Sequence, residues 1–257
     1  MTKPGTTRPG TTTSATTKPA RHTAAEFLAR NRGGGLFTET VSQRIGSWCA
    51  VGAERAGQPP TTLTLGNLVV GIGTSVGVVL LAGPMHHGTV PAWLVGLVAL
   101  VLWQFAYAMD CADGQLARVT GQGSPAGARI DVLCDVALQI GLVAAVATVA
   151  SVYRPGTPIW LVAAFAGAWM VNLVTSVMQQ SDKAQSLVAS GALPVRLVKL
   201  VRDYGAVVAV LALVIAFVPA WTVWAMVAFT VVNALFLLAS IVATARAALR
   251  AVPAVGE

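Results

Sequence analysis

The chain has 257 residues, 55% of them hydrophobic and 11% charged, against about a quarter charged in an ordinary soluble domain. So little charge cannot coat a water-facing surface, which excludes a soluble globular protein. The net charge of +7 invites a nucleic-acid reading, but the basic residues fall where membrane topology puts them, and no nucleic-acid partner is expected.

Residues 1–35 are expected to form a disordered cytoplasmic tail. Thr, Pro, Gly and Lys/Arg dominate its first two dozen positions, too little apolar surface to repay the entropy of ordering. There is no signal-peptide apolar region, and Gly33, Gly34 and Gly35 close the polar stretch. Residues 36–57 follow as an amphipathic juxtamembrane helix. Phe37, Val41, Ile45 and Trp48 recur at helical spacing with Glu39, Ser42, Gln43 and Arg44 between them, as in a helix lying on the inner leaflet. The alternative is a helix packed on the cytoplasmic end of a bundle.

Residues 58–247 are expected to be an all-α domain of six transmembrane helices, with a cytoplasmic tail over 248–257. No Lys, Arg, Asp or Glu occurs from Ala56 to Met109, Val136 to Tyr153, Pro155 to Ser181 or Tyr204 to Ala245. A span needs about 20 apolar residues, so the first and last gaps each hold two helices, turning at Pro84 to Pro91 and at Pro219. The spans fall near 64–82, 92–110, 129–151, 158–178, 203–218 and 221–244. Gly66, Gly71, Gly73 and Gly77 in the first span are read as sites of close helix approach. Of the 17 Lys and Arg residues, only Arg154 lies on the opposite side of this topology, which places both termini in the cytoplasm of a multi-pass cell-membrane protein. Cys49, Cys111 and Cys134 imply no disulfide framework.

Four of the six aspartates fall within 26 residues at the cytoplasmic ends of spans 2 and 3: Asp110, Asp113, Asp131 and Asp135. Spacings of three and four put each pair on one helix face. Four carboxylates about 5 Å apart repel by roughly 3 kcal/mol per pair at an effective dielectric of 20. Arg118 and Arg129 cannot neutralise all four. Hard oxygen ligands in this number favour Mg²⁺, Mn²⁺ or Ca²⁺ over zinc, and one or two divalent ions are expected. Cys111 and Cys134 read as small fillers rather than ligands.

Written out, the segment is Asp110-Cys-Ala-Asp113-Gly114-Gln-Leu-Ala117-Arg118, eight residues, Gly127, three residues, Asp131, three residues, Asp135. This run resembles the signature of the CDP-alcohol phosphatidyltransferases at every specified position, and the wider resemblance covers about residues 36–247. The resemblance implies transfer of a substituted phosphate from a CDP-linked donor, CDP-diacylglycerol or a soluble CDP-alcohol, to an alcohol, releasing CMP. It also implies two bound ions, Mg²⁺ or Mn²⁺, and a homodimer in the lipid bilayer. Asp110, Asp113 and Asp131 would hold metal, and Asp135 would be the general base, near or on the second ion. Gly114 would admit the nucleotide, Arg118 would pair with phosphate oxygens, and Ser124 stands where relatives contact the donor. The nucleotide-side element before span 1 looks like Pro60-Thr61-Thr-Leu-Thr64, with Thr61 in place of the usual Asn or Asp.

Lys183, Arg196, Lys199 and Arg202 crowd the loop after span 4. They read either as contacts to a phosphorylated acceptor, such as inositol phosphate or glycerol phosphate, or as ordinary positive-inside flanks. Two rival classes stand beside the enzyme. A cation transporter would place its acids near mid-membrane on broken helices, and a silent scaffold would have no need of the complete signature.

Overall fold

The computed structural model describes residues 21–31, 34–181 and 203–251, and every element among them is helical. Helix α1 spans Ala24–Ala29. A π-helical turn, Thr38–Ser42, leads into α2, Gln43–Arg55. The long helices are α3 (Pro60–His86), α4 (Ala92–Thr120), α5 (Pro125–Tyr153) and α6 (Ile159–Ser181). After Asp203 come α7 (Tyr204–Phe217), a 3₁₀ turn at Pro219–Trp221, and α8 (Thr222–Ala251).

Four stretches are long and apolar enough to cross a membrane: α3, α4, α5 and Pro219–Arg246. Two apolar helices are shorter, Ile159–Thr175 within α6 and Tyr204–Phe217. The 14 residues of α7 rise about 21 Å, less than roughly 30 Å of hydrocarbon. The chain is therefore an all-α multi-span membrane protein with, among the described residues, four long apolar helices and two shorter ones.

Helix ends depart from the hydropathy limits for a local reason. Apolar content marks the membrane, whereas capping marks the helix. α4 runs ten residues past the expected end of its span, to Thr120, and Gly121, with a φ of 70°, terminates it in the left-handed region. α5 starts earlier than expected because Ser124 accepts from the Gly127 amide and Pro125 occupies the first turn. The extension of α4 carries Asp113 and Arg118 on helix instead of loop. Between α3 and α4 the Pro84 carbonyl accepts from the Thr89 and Val90 amides and the Thr89 hydroxyl, closing the expected turn.

The main core joins α3 to α8. Val78, Leu142, Val146, Phe165, Ile215 and Met226 are essentially solvent-free within it, and Trp169 stacks on Phe229 at 4.6 Å. Glycines bring particular helices close. A Cβ at Gly96 would lie 2.4 Å from the Ala216 amide nitrogen, so α4 and α7 touch backbone to backbone there. In α3, Gly66 and Gly71 do meet neighbours, the side chains of Met109 and Leu138. Around Gly73 and Gly77 no atom of the described residues lies within 4 Å of a Cβ.

The polar N-terminal segment is ordered further than its composition suggests. Thr23 and Glu26 form a reciprocal capping box at the start of α1, and the Thr23 backbone and hydroxyl hydrogen bonds hold the Glu26 carboxyl below its ordinary range. Phe27 is completely buried in a second cluster with Ala50, Val51, Ala53, Ala112 and Leu116, a burial worth about 1.5–3 kcal/mol. α1 thus stands inside the stretch expected to be a tail. Six residues are too few to show periodicity, and docking on α2 and α4 supplies the stability.

α2 packs on α4 through its small residues. A Cβ at Gly46 would lie 2.7 Å from the Ala108 carbonyl oxygen. Ile45 and Trp48 point away from the protein, 42% and 70% exposed. Phe37, by contrast, lies against Gly205 of α7, so the apolar set read from the sequence is divided between the bundle and the outside.

Candidate active site

Three helices assemble the site in layers. Thr64 and Asn67 lie one turn apart on α3, Asp110 and Asp113 on α4, and Asp131 and Asp135 one turn apart on α5. The Thr64 hydroxyl donates to the Asp113 carboxylate. One turn further in, the Asn67 amide nitrogen lies 3.4 Å from Asp110 Oδ1. Both carboxylates of α4 thus take an orienting contact from the adjacent helix.

Asp110, Asp113 and Asp131 each present an oxygen within 4.8 Å of the other two. At this separation like charges repel by about 3 kcal/mol per pair, and Asp131 Oδ1 is buried with no hydrogen-bond partner. An oxygen-only set of three carboxylates, one of them with an orphaned atom, is compatible with a metal-binding site for a hard divalent cation. Asp135 completes the cluster from the next turn of α5. Its carboxyl is within hydrogen-bonding reach of the Asp110 carboxyl, and both line a cavity of about 370 Å³, within the usual range for small-molecule sites.

The other residues expected at the site are placed less centrally. Arg118 sits beyond Asp113 toward the end of α4, and its Nε donates to the Arg30 carbonyl at 2.9 Å. Its guanidinium covers Gly114, where a Cβ would lie 2.9 Å from Nη1. The space that was expected to admit a nucleotide is thus occupied here by the side chain four residues on. Ser124 is exposed and its hydroxyl accepts from the Gly127 amide at 3.0 Å, a capping role that sets the start of α5. Pro60 opens α3, Thr61 is half-buried in its first turn, and only Thr64 of that element reaches the carboxylates. Lys183, Arg196, Lys199 and Arg202 lie outside the described residues.

Among the residues that line the cavity without having been singled out from the sequence are Asn67, Tyr107, Gln139 and Asp203. Asp203, just before α7, is buried and accepts from the Thr38 amide at 3.0 Å and from the Thr38 hydroxyl at 2.6 Å. Thr38 Oγ1 also lies 3.1 Å from the Tyr107 hydroxyl. This network ties the segment before α2 to the start of α7 beside the acids. A Cβ at Gly35 would overlap the Asp203 carboxyl, so the chain passes directly against it. The available signal was a polar residue within or at the edge of an apolar run, which by itself says nothing of a partner.

Acids at one end of continuous helices do not fit the broken, mid-membrane arrangement that a cation transporter would need. No curated protein matches the chain. Among protein families, residues 58–232 match the CDP-alcohol phosphatidyltransferases, a stretch that holds all four clustered aspartates, Thr64, Asn67 and most of the cavity wall. With the match covering more than half of the sequence, the chain belongs to the CDP-alcohol phosphatidyltransferase family of enzymes.

Proposed function

We propose that the protein transfers the phosphatidyl group of CDP-diacylglycerol to an alcohol and releases CMP. The observation that carries this reading is the convergence of three carboxylates from two helices within 4.8 Å, beside a cavity large enough for a small polar acceptor. In the reaction, the acceptor oxygen forms a bond to the phosphatidyl phosphorus. The bond from that phosphorus to the bridging oxygen of CMP breaks, and CMP leaves with that oxygen. The acceptor's proton passes to Asp135, the general base.

Asp110, Asp113 and Asp131 would hold the metal, with Asp135 near or on a second ion. Mg²⁺ or Mn²⁺ bound there would act as a Lewis acid toward the pyrophosphate. Thr64 and Asn67 hold the α4 carboxylates in orientation. Arg118 is suited to the donor phosphates by its planar fork, exchanging the Arg30 carbonyl for phosphate oxygen over Gly114. Pro60, Thr61 and Ser124 complete the donor side by family analogy.

The same reading takes α6 and α7 as spans, giving six. It places both termini and the acids on the cytoplasmic side, seats Ile45 and Trp48 in the bilayer interface, and makes the protein a homodimer. A phosphorylated polyol is the favoured acceptor, with Lys183, Arg196, Lys199 and Arg202 meeting its phosphate. A soluble CDP-alcohol donor is the alternative. The deciding experiment incubates purified protein with Mg²⁺, CDP-diacylglycerol and a panel of alcohols, follows CMP, and identifies the lipid by mass spectrometry. CMP release with a new phospholipid supports the reading, whereas CMP release only from a soluble CDP-alcohol replaces the donor.

A further inference from the structure

Among the described residues, Thr64, Gly114 and Arg118 of the proposed donor side do not line the cavity, and of the four clustered aspartates only Asp110 and Asp135 do. On the proposed reaction it is therefore the acceptor's side of the acids. Part of its wall is a seam where three stretches distant in sequence meet: the segment ahead of α2 with Gly35 and Thr38, Tyr107 on α4, and Asp203 with Tyr204 at the start of α7. A Cβ at Gly35 would fall on the Asp203 carboxyl, and one at Gly205 would lie 2.9 Å from Phe37 Cδ1, so the first and third stretches are in contact. α4 is tied to the third as well. The Tyr107 and Tyr204 rings meet edge to face at 4.8 Å, and Gln104 Nε2 donates to the Gly205 carbonyl at 2.8 Å.

Thr38 joins the three stretches with one hydroxyl. That group has a single proton, and it goes to Asp203 Oδ1 at 2.6 Å. The Tyr107 hydroxyl, 3.1 Å from the same Thr38 oxygen, must then be the donor there, so the bonds run in one direction from Tyr107 through Thr38 to Asp203. Capping the helix that begins here asks only for the Thr38 amide, which Asp203 already accepts at 3.0 Å. The hydroxyl chain exceeds what the cap needs, and both its ends are residues of the cavity wall. We propose that Thr38 and Asp203 are positioning residues for the acceptor, acting through Tyr107 to hold the acceptor-side wall of the cavity in place. This rests on the proposed transfer reaction and deepens it by naming residues that set acceptor affinity, one of which, Thr38, precedes the stretch that matches the family. Loosening a wall weakens the binding of what it orients, and the donor, held from the other side of the acids, is spared.

The test compares wild-type protein with Thr38→Val, which keeps the shape and loses the hydroxyl, Thr38→Ser, which keeps the hydroxyl, and Tyr107→Phe, which removes the chain from its other end. Each is purified in detergent and assayed by CMP release with Mg²⁺ and CDP-diacylglycerol. The acceptor probes are glycerol 3-phosphate, myo-inositol 1-phosphate, glycerol and myo-inositol, and KM values are taken with the probe on which the wild type is fastest. Thr38→Val and Tyr107→Phe should each raise the acceptor KM by at least about fivefold, with the KM for CDP-diacylglycerol within about twofold of wild type. Thr38→Ser should keep the acceptor KM within about twofold of wild type. Combining Thr38→Val with Tyr107→Phe should add little to Thr38→Val alone, since both remove the same bond. Tyr107→Phe leaves both Asp203 bonds intact, so it reads the chain even where Thr38→Val fails to fold. An acceptor KM within about twofold of wild type in every folded variant overturns the inference, as does an equal rise in both KM values, and the transfer reaction would stand in either case. Absence of CMP release by the wild type with every acceptor overturns the proposed function, and this inference falls with it.

Discussion

The hydroxyl of Thr64 on α3 donates to the carboxylate of Asp113 on α4, linking the first turns of one helix to the acid-bearing turn of its neighbour. Thr64 is buried, so the bond is shielded from water, and it fixes which Asp113 oxygen remains for a cation. Replacement by valine keeps the shape and removes the donor. Losing such an orienting partner typically costs 10–100-fold in metal affinity or activity. Thr64→Val should therefore shift the Mg²⁺ dependence of CMP release to higher concentration by at least about tenfold. An unshifted titration in folded protein would make the contact one of packing alone.

The acids were legible because charge inside apolar sequence is rare, and four such residues at fixed spacing are informative without coordinates. The neutral members of the site were not. Asn67 and Gln139 are single amides in apolar runs, and their meaning depends on the rotation of α3 and α5 about their axes, which hydropathy does not determine. Asp203 follows a basic stretch and reads as flanking charge until its bonds to Thr38 are seen. α1 escaped notice because tertiary contact of Phe27 stabilises it, not local periodicity. For α2 the helix was evident, but which face packs inward was decided by Gly46, a residue that carries no hydrophobic signal.

Metal should be obligatory. The repulsion among Asp110, Asp113 and Asp131 at their observed separation, about 3 kcal/mol per pair, needs a compensating positive charge or proton. Removing divalent ions with excess chelator should abolish CMP release, and returning Mg²⁺ or Mn²⁺ should restore it. Full turnover in chelator would refute the metal reading while leaving the family assignment intact.

Arg118→Lys is not a conservative change here. The guanidinium spans Gly114 and bonds the Arg30 carbonyl through Nε, a two-sided placement that an ammonium cannot reproduce. Catalytic efficiency with the CDP donor should fall by at least about tenfold, equivalent to about 1.4 kcal/mol. Unchanged efficiency would leave Arg118 as an anchor for the segment around Arg30.

Two glycine substitutions should separate packing from propensity. At Gly96 a Cβ would collide with the backbone of Ala216, so Gly96→Ala must push α7 from α4 and should destabilise by about 1–3 kcal/mol. Gly73 has open space around it, and Gly73→Ala should be neutral or gain about 0.5–1 kcal/mol from helix propensity. Thermal unfolding of the two variants in one detergent makes the comparison. Equal midpoints would contradict the close approach of α4 and α7.

Asp135 and Asp110 are side-chain neighbours that line one cavity, yet their expected roles differ, and two isosteric changes can tell them apart. Asp110 contributes an oxygen to the three-carboxylate cluster and receives the Asn67 amide, so Asp110→Asn should weaken metal and donor binding together. Asp135 stands one turn beyond Asp131 and lines the cavity. Asp135→Asn keeps the size and most hydrogen bonding but removes the proton acceptor. Turnover should drop by about 10²–10⁴, the range usual for loss of a general base, while donor binding survives better than in Asp110→Asn. Both quantities can be read in the same preparations, one from equilibrium binding of the CDP donor and the other from CMP release. Normal turnover in folded Asp135→Asn would move the base elsewhere in the cavity, whereas equal loss of donor binding in both variants would make Asp135 a metal ligand first.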